Sequence, residues 1–441
     1  MTDADPQSPL ANVHIGWVVD QLRSKRSRKR RRLLLLFGAT ALTLWGLWVS
    51  GVIFNGTVPS PSTDVDAVLA ETAWALPGRD VTHTSAVPVA SQVQGLISWQ
   101  YATNSTLGTA PAVANGKVFL TTGDDQLVAL DEQTGDLLWE RRLPALTSAS
   151  PAVTDNALFL SLRDGQVIAF DVESGETTWT FQGSGTLSAA AVVHRGVVYV
   201  GSWGGIVHAL DAADGRELWT FETAGRIVAS PSFAKNLMAV ASDDGLVYVV
   251  DTIDAGKRLI YDAAFTVLET PVFADDRLFI STAKGRIAAI DQSKIEYSFE
   301  RGLRYWRQQF FIWRLQDHPP VPKGHVWGRK LSEGAALSSP AVAKGVAFVA
   351  SADGQVHALS VANGDPLWAY DAGVPIHTST TVVGALVYIG TDDGDVLALD
   401  VTDGTVVQRM HLGVALHGPV VVTNDALYVT SRDPGLLFAM R

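Results

Sequence analysis

Short apolar runs recur along most of the chain, each broken by a small polar turn. Between Ser150 and Phe181 they predict four strands, at Ser150 to Val153, Ala157 to Leu160, Gln166 to Phe170 and Thr177 to Phe181. Asp164-Gly165 and Ser174-Gly175 mark the later turns, where glycine supplies the positive φ that a tight turn needs. The unit repeats: "DQLVALDEQTGDLLW" ends at Trp139, "GQVIAFDVESGETTW" at Trp179 and "GIVHALDAADGRELW" at Trp219. Weaker copies read "GLVYVVDTIDAGKRLI", "GRIAAIDQSK", "GQVHALSVANGDPLW" and "GDVLALDVTDGTVV". An aspartate follows the apolar triplet at Asp131, Asp171, Asp211, Asp251 and Asp291, always 40 residues apart. The column resumes 69 residues later at Ser360, then Asp400 and Met440, so one repeat holds a 29-residue insertion, at about residues 300–331.

A 40-residue, four-strand repeat with Asp-Gly turns and a late tryptophan predicts a propeller blade. The tryptophan column reads Trp99, Trp139, Trp179, Trp219, Leu259, Phe299, Trp368 and Gln408, which gives eight blades over residues 91–441. The last unit stops at Arg441 after its third strand, so Ile97 to Tyr101 is expected to supply the fourth. That pairing closes the ring and removes an open sheet edge. A chain begun at residue 91 is expected to fold by itself.

A different pattern precedes the repeats. Leu33 to Phe54 is an uncharged run of 22 residues, long enough as a helix to span the ~30 Å hydrocarbon layer. Residues 1–32 carry eight Lys/Arg against three aspartates, a surplus of +5 in a chain whose net charge is −11. The expected organisation is a basic cytoplasmic tail (1–32), one transmembrane helix (33–54), a linker and lead-in (55–90), and a propeller in the periplasm or cell exterior. The membrane is then the cytoplasmic, inner one. The remainder carries −16, which repels phosphates and disfavours nucleic-acid binding.

Composition narrows the chemistry. The chain is 47% hydrophobic and only 18% charged, which excludes a largely disordered protein. Cysteine is absent, excluding disulfides, cysteine-held zinc and thiol catalysis. No Ser-His-Asp order, P-loop or dinucleotide fingerprint is present. The Asp-Asp-Gly stretches and the recurrent aspartates occupy the same turn in every blade, so they read as turn chemistry rather than calcium loops or catalytic acids.

The repeat resembles the pyrroloquinoline-quinone-repeat propellers, the group that includes quinoprotein dehydrogenases and BamB-like assembly proteins. Trp74-Ala-Leu-Pro-Gly-Arg-Asp80 with His83-Thr84 resembles the lead-in such proteins carry before their first strand. The resemblance implies a structural role for Trp99, Trp139, Trp179, Trp219 and Trp368, docking each blade on the next. The quinone-dependent alcohol dehydrogenases hold their cofactor beneath a disulfide of adjacent cysteines, and BamB is anchored through a lipidated cysteine; this chain has neither.

Two features stand out from the repeat. His377 and His417 lie 40 apart at the start of the innermost strands of adjacent blades, where two imidazoles could bind a metal or an anion. Glu269, one column over, lies on blade five, too distant to join them. His208 and His357 share a column of packing residues and read as semi-buried. The insertion, "ERGLRYWRQQFFIWRLQDHPPVPKGHVWGRKL", places Leu303, Trp306, Phe310 and Trp313 on one helical stripe beside Arg304 and Arg307. Aromatic and Arg content of this kind marks partner or membrane docking. The expected function is a non-enzymatic, membrane-tethered scaffold or assembly subunit with protein partners and no cofactor. The alternatives are a dehydrogenase using pyrroloquinoline quinone and calcium, and an envelope sensor binding a small ligand or glycan in the channel.

Topology is directly testable. Replacing the eight basic residues at 23–32 with neutral ones should scramble orientation. External protease on intact spheroplasts should digest the chain beyond about residue 56 while sparing a tag at Met1. A cut tag with a protected propeller would reverse the assignment.

Overall fold

A computed structural model describes residues 58–67, 73–76, 78–87, 95–107, 109–423 and 426–441, with the backbone alone at Ser298 and Arg301. The chain divides into two compact units, Gly56–Glu296 with Leu303–Arg441, and Met1–Asn55 with Tyr297–Gly302. The expected membrane helix at 33–54 lies outside the described residues. Among those described, no helix is long and apolar enough to cross a membrane.

The larger unit is an all-β propeller of eight blades, each a four-stranded antiparallel sheet. Blade two runs Ala152–Val153, Ala157–Ser161, Gln166–Asp171 and Thr177–Gln182, from the channel outward. The inner strands are buried on both faces and read as continuous apolar runs, whereas the outermost strands alternate. Blade eight is completed by Ile97–Ala102, paired antiparallel to Leu436–Met440, with Trp99 opposite Ala439. The ring is therefore closed by the strand that the repeat count required.

One face of the ring carries the turns after the first and third strands of each blade. The opposite face carries the Asp-Gly turns and the links between blades. This division follows from the up-and-down order of four strands and places the channel mouth on the second face.

Neighbouring blades are joined by a repeated seat. The indole nitrogens of Trp99, Trp139, Trp179 and Trp368 donate to Glu132, Val172, Ala212 and Val401 carbonyls of the next blade, at 2.9–3.2 Å. Each indole lies directly on a glycine of that blade's turn. A Cβ at Gly135, Gly175, Gly215 or Gly404 would stand 2.5–2.7 Å from the ring, and each of these glycines has positive φ. Behind each indole an aromatic of the second strand packs at 5.7–5.9 Å, as in Phe119–Trp139, Phe159–Trp179 and Phe348–Trp368. Indole burial and the ring pair together make these side chains worth several kcal/mol each, about 3–5 kcal/mol on truncation to alanine.

The structure corrects the column in blade five. Its fourth strand is His325–Lys330, and Trp327, not Phe299, faces Ala289, donates to Val361 at 2.9 Å and sits on Gly364. The insertion therefore falls between the third and fourth strands and ends at Gly324, earlier than 331. Blade four departs from the pattern twice: its own turn carries Ala255, held at φ 53°, in place of the glycine, and its column residue Leu259 meets Gly324 of blade five, where a Cβ would stand 3.1 Å from the leucine.

The lead-in has a part in the ring that its sequence did not disclose. Carbonyls of Trp74, Ala75, Val81, Thr82, Thr84 and Ser85 accept the N–H groups of Val113, Val153, Phe233, Phe273, Val342 and Val382, at 2.7–3.0 Å. Those six residues occupy one register column on the innermost strands of six blades. Each innermost strand has a free edge toward the channel, and one thread satisfies them in turn. It ends as Ala86–Val87, parallel to Thr381–Val383 in blade seven. The Asp80 carboxylate shapes the thread, accepting the Thr82 and Thr84 hydroxyls at 2.6 and 3.1 Å. Trp74 is fully buried.

The expectation for a chain begun at residue 91 changes accordingly. Removing residues 1–57 should leave the melting temperature nearly unchanged. Removing 1–90 should lower it markedly, because loss of buried Trp74 alone costs about 3–5 kcal/mol. Equal melting of the two truncated chains would show that the thread is only draped in the channel.

Candidate functional site

The channel holds two adjoining cavities. The outer one, about 500 Å³, opens on the face carrying the Asp-Gly turns. His377 and His417 meet there with rings stacked 5.9 Å apart and nearly parallel, at 4°. The repeat explains the meeting: equivalent positions on adjacent blades are brought side by side at the axis. His377 Nδ1 lies 3.0 Å from Asp392 Oδ1, whereas His417 Nδ1 is buried without a hydrogen-bond partner. Arg163 and Arg432, from the Asp-Gly turn positions of blades two and eight, join the same lining. Sequence reasoning missed these two because they lie on blades far apart in the chain. The signal available was their shared column, where the other blades carry Gly123, Trp203, Asp243, Ala283, Ala352 and Asp392.

The remaining polar lining is hydroxyl, from Thr106, Thr109, Thr121, Thr122, Thr147 and Ser148. Guanidiniums, imidazoles and hydroxyls can hold water or an anion. They do not suit calcium, which takes about 6–8 oxygen ligands, usually with carboxylates among them. Among the described residues no group of three His, Asp or Glu is placed to hold a metal ion. The residues present at the mouth therefore do not fit a calcium-bound quinone.

The inner cavity, about 220 Å³, lies between the mouth and the thread and contains Glu269 with Ser339, Ser148, Ser150 and His83. Glu269 does not reach the histidine pair, as its blade position implied. Ser339 Oγ donates to Glu269 Oε2 at 3.2 Å. The channel walls strip most water from this carboxyl and push its pKa upward, against the Ser339 bond.

The other singled-out residues are structural. Asp131 and Asp171 accept backbone N–H groups two and three residues on, which holds their carboxyls below the ordinary range. His208 packs on Phe181 at 5.4 Å with Nδ1 2.6 Å from Glu217. Burial lowers the pKa of His357.

The insertion forms a helix, Ser298–Ile312. Its first turn is capped by Glu300, whose carboxylate accepts the Tyr297 N–H at 2.9 Å. Its end is a left-handed turn at Arg314, φ 60°, with Leu315 N–H donating to Phe310 and Arg314 N–H to Phe311. Arg304 pairs with the nearly buried carboxylate of Glu296 at 2.9 Å. Glu296 N–H in turn donates to Arg258 on the outermost strand of blade four. Arg304 is thus taken up in holding the helix, and Arg307 remains exposed. Trp306, Phe310 and Trp313 are 54%, 40% and 56% exposed.

Comparison with known proteins follows the fold. The profile of the family described as outer membrane protein assembly factor BamB matches residues 84–220, 184–259, 203–320 and 320–436. No curated protein matches the sequence. BamB from Moraxella catarrhalis is 18% identical with a TM-score of 0.63, over 78% of this chain and 97% of that one. The quinohemoprotein alcohol dehydrogenase from Comamonas testosteroni is 14% identical with a TM-score of 0.66, over 84% of this chain and 80% of that one. The computationally designed Ika8 protein is 14% identical with a TM-score of 0.64, over 77% and 98%. At these identities the likeness is one of fold.

Glu269 provides a test of the channel's polarity. A carboxyl with a raised folded pKa favours the folded state below its ordinary value of 4.5, and that advantage is lost as pH rises through the folded value. Between pH 4 and 8 the melting temperature of the Glu269→Gln variant should therefore fall less than that of the parent. Parallel curves would show that Glu269 is well hydrated.

Proposed function

The chain belongs to the family of outer membrane protein assembly factor BamB, and on that premise we propose that it is a membrane-tethered scaffold or assembly subunit rather than an enzyme. The tether is the apolar run 33–54, and the ring is held on the far side of the membrane from the basic tail. Protein subunits of a membrane complex are its partners.

One observation carries this reading. Of 24 large hydrophobic side chains exposed among the described residues, 11 fall between Ile295 and Val321, in the one segment the repeat does not need. Seven other blades close without such an insertion, so fold stability gives no reason for it. An aromatic surface of this density, beside an exposed Arg307, is what association sites share. The ring itself supplies rigidity, which suits a part that must hold a surface in one orientation.

The test is a Trp306→Ala, Phe310→Ala, Trp313→Ala triple variant of the full chain, crosslinked in native membranes. Its melting temperature should stay nearly unchanged, while recovery of crosslinked subunits falls about tenfold or more, the effect of one anchor worth about 1.4 kcal/mol. Intact crosslinking would reject the insertion as the docking element.

A further inference from the structure

The insertion helix is turned the wrong way round for a ring bathed only in water. Its ion-paired side, Arg304 with Glu296, faces inward, and Leu303, Trp306 and Phe310 line the outward side. Amphipathic helices on soluble domains present the opposite arrangement, with the apolar stripe against the core.

Where the chain enters the ring supplies a second, independent observation. Val58 N–H donates to the Ile253 carbonyl at 3.4 Å, in the turn after the third strand of blade four. Val58 stands only four residues beyond Phe54, the end of the 22-residue apolar run. Four extended residues reach at most about 14 Å. The insertion leaves the ring from the corresponding turn of the next blade, on the same face, and is tied back to blade four through Glu296 and Arg258. Chain length therefore obliges whatever receives the apolar run to lie close to the arc that carries the aromatic helix.

Charge beside the helix is mixed: Arg307 and Arg314 are exposed there, and so are Lys294 and Asp317.

We propose that the occupant of this surface is lipid: the helix lies in the headgroup layer of the membrane crossed by residues 33–54, and the ring stands tilted on its blade-four and blade-five edge. Trp306 and Phe310 enter the acyl boundary, and Arg307 meets lipid phosphates. This rests on the tethered reading above: the helix sets the pose of the ring on the membrane, and the triple variant loses crosslinked subunits because that pose is lost.

The absence of cysteine makes the test clean. Full-length protein carrying Trp306→Cys or Gln133→Cys, each spin-labelled, is placed in phosphatidylglycerol–phosphatidylethanolamine vesicles, with unchanged melting as the folding control. The label at 306 should be relaxed by dissolved oxygen and shielded from a water-soluble nickel chelate, at a depth of about 5–10 Å. The label at 133, on the same face but the far edge, should respond in the opposite way. Equal nickel access at both sites would overturn the proposal. Lost crosslinking with a water-exposed 306 label would keep the assembly role and give the surface to a protein. A lipid-buried label with intact crosslinking would keep the lipid contact and place the subunit-binding surface elsewhere on the ring.

Discussion

The contact on which the ring depends is an indole lying on a glycine. An outermost-strand tryptophan of one blade covers the turn of the next, donates its N–H to a carbonyl there, and leaves no room for a Cβ. Both halves are required. The positive φ lets the turn close, and the missing side chain lets the ring approach. Because the seat fixes the distance and angle between sheets, its repetition around an axis sets the blade number and, with it, which residues face the channel.

Much of this was legible from the chain. The 40-residue spacing gave strand positions to within a residue or two, and the closing strand at Ile97–Ala102 followed from the missing end of blade eight. Blade five misled because 29 extra residues displaced the register, so a fixed count landed on Phe299. The local signal was present: Trp327-Gly-Arg329 repeats the spacing of Trp139-Glu-Arg141, and both arginines donate through Nε to the seat glycine's carbonyl. The channel thread was not legible, because its bonds run from backbone to backbone and leave no side-chain pattern. The histidine pair was found from the repeat alone, whereas Arg163 and Arg432 needed the closed ring to bring them together.

The ring's regularity also makes its departures informative. A scaffold built from near-identical units offers few distinctive surfaces, and here the distinctive ones are a cationic, hydroxyl-lined mouth and an aromatic helix near the opposite face. Behind the mouth lies the inner cavity, whose lining includes Gly78, His83 and Ser85 of the thread. The helix is held by an ion pair on its inner side, which leaves its outer side free to engage another phase. Seat and thread make a stiff body, and the helix is the element we propose orients it.

A double-mutant cycle between Trp139 and Gly175 tests the seat most directly. Gly175→Ala in the parent should cost both left-handed strain, about 1–2 kcal/mol, and displacement of the indole. In a Trp139→Ala background it should cost the strain alone, so the two changes should be strongly non-additive in their melting free energies. Additive effects would show that the indole does not rest on the glycine and would contradict the account of how the blades are joined.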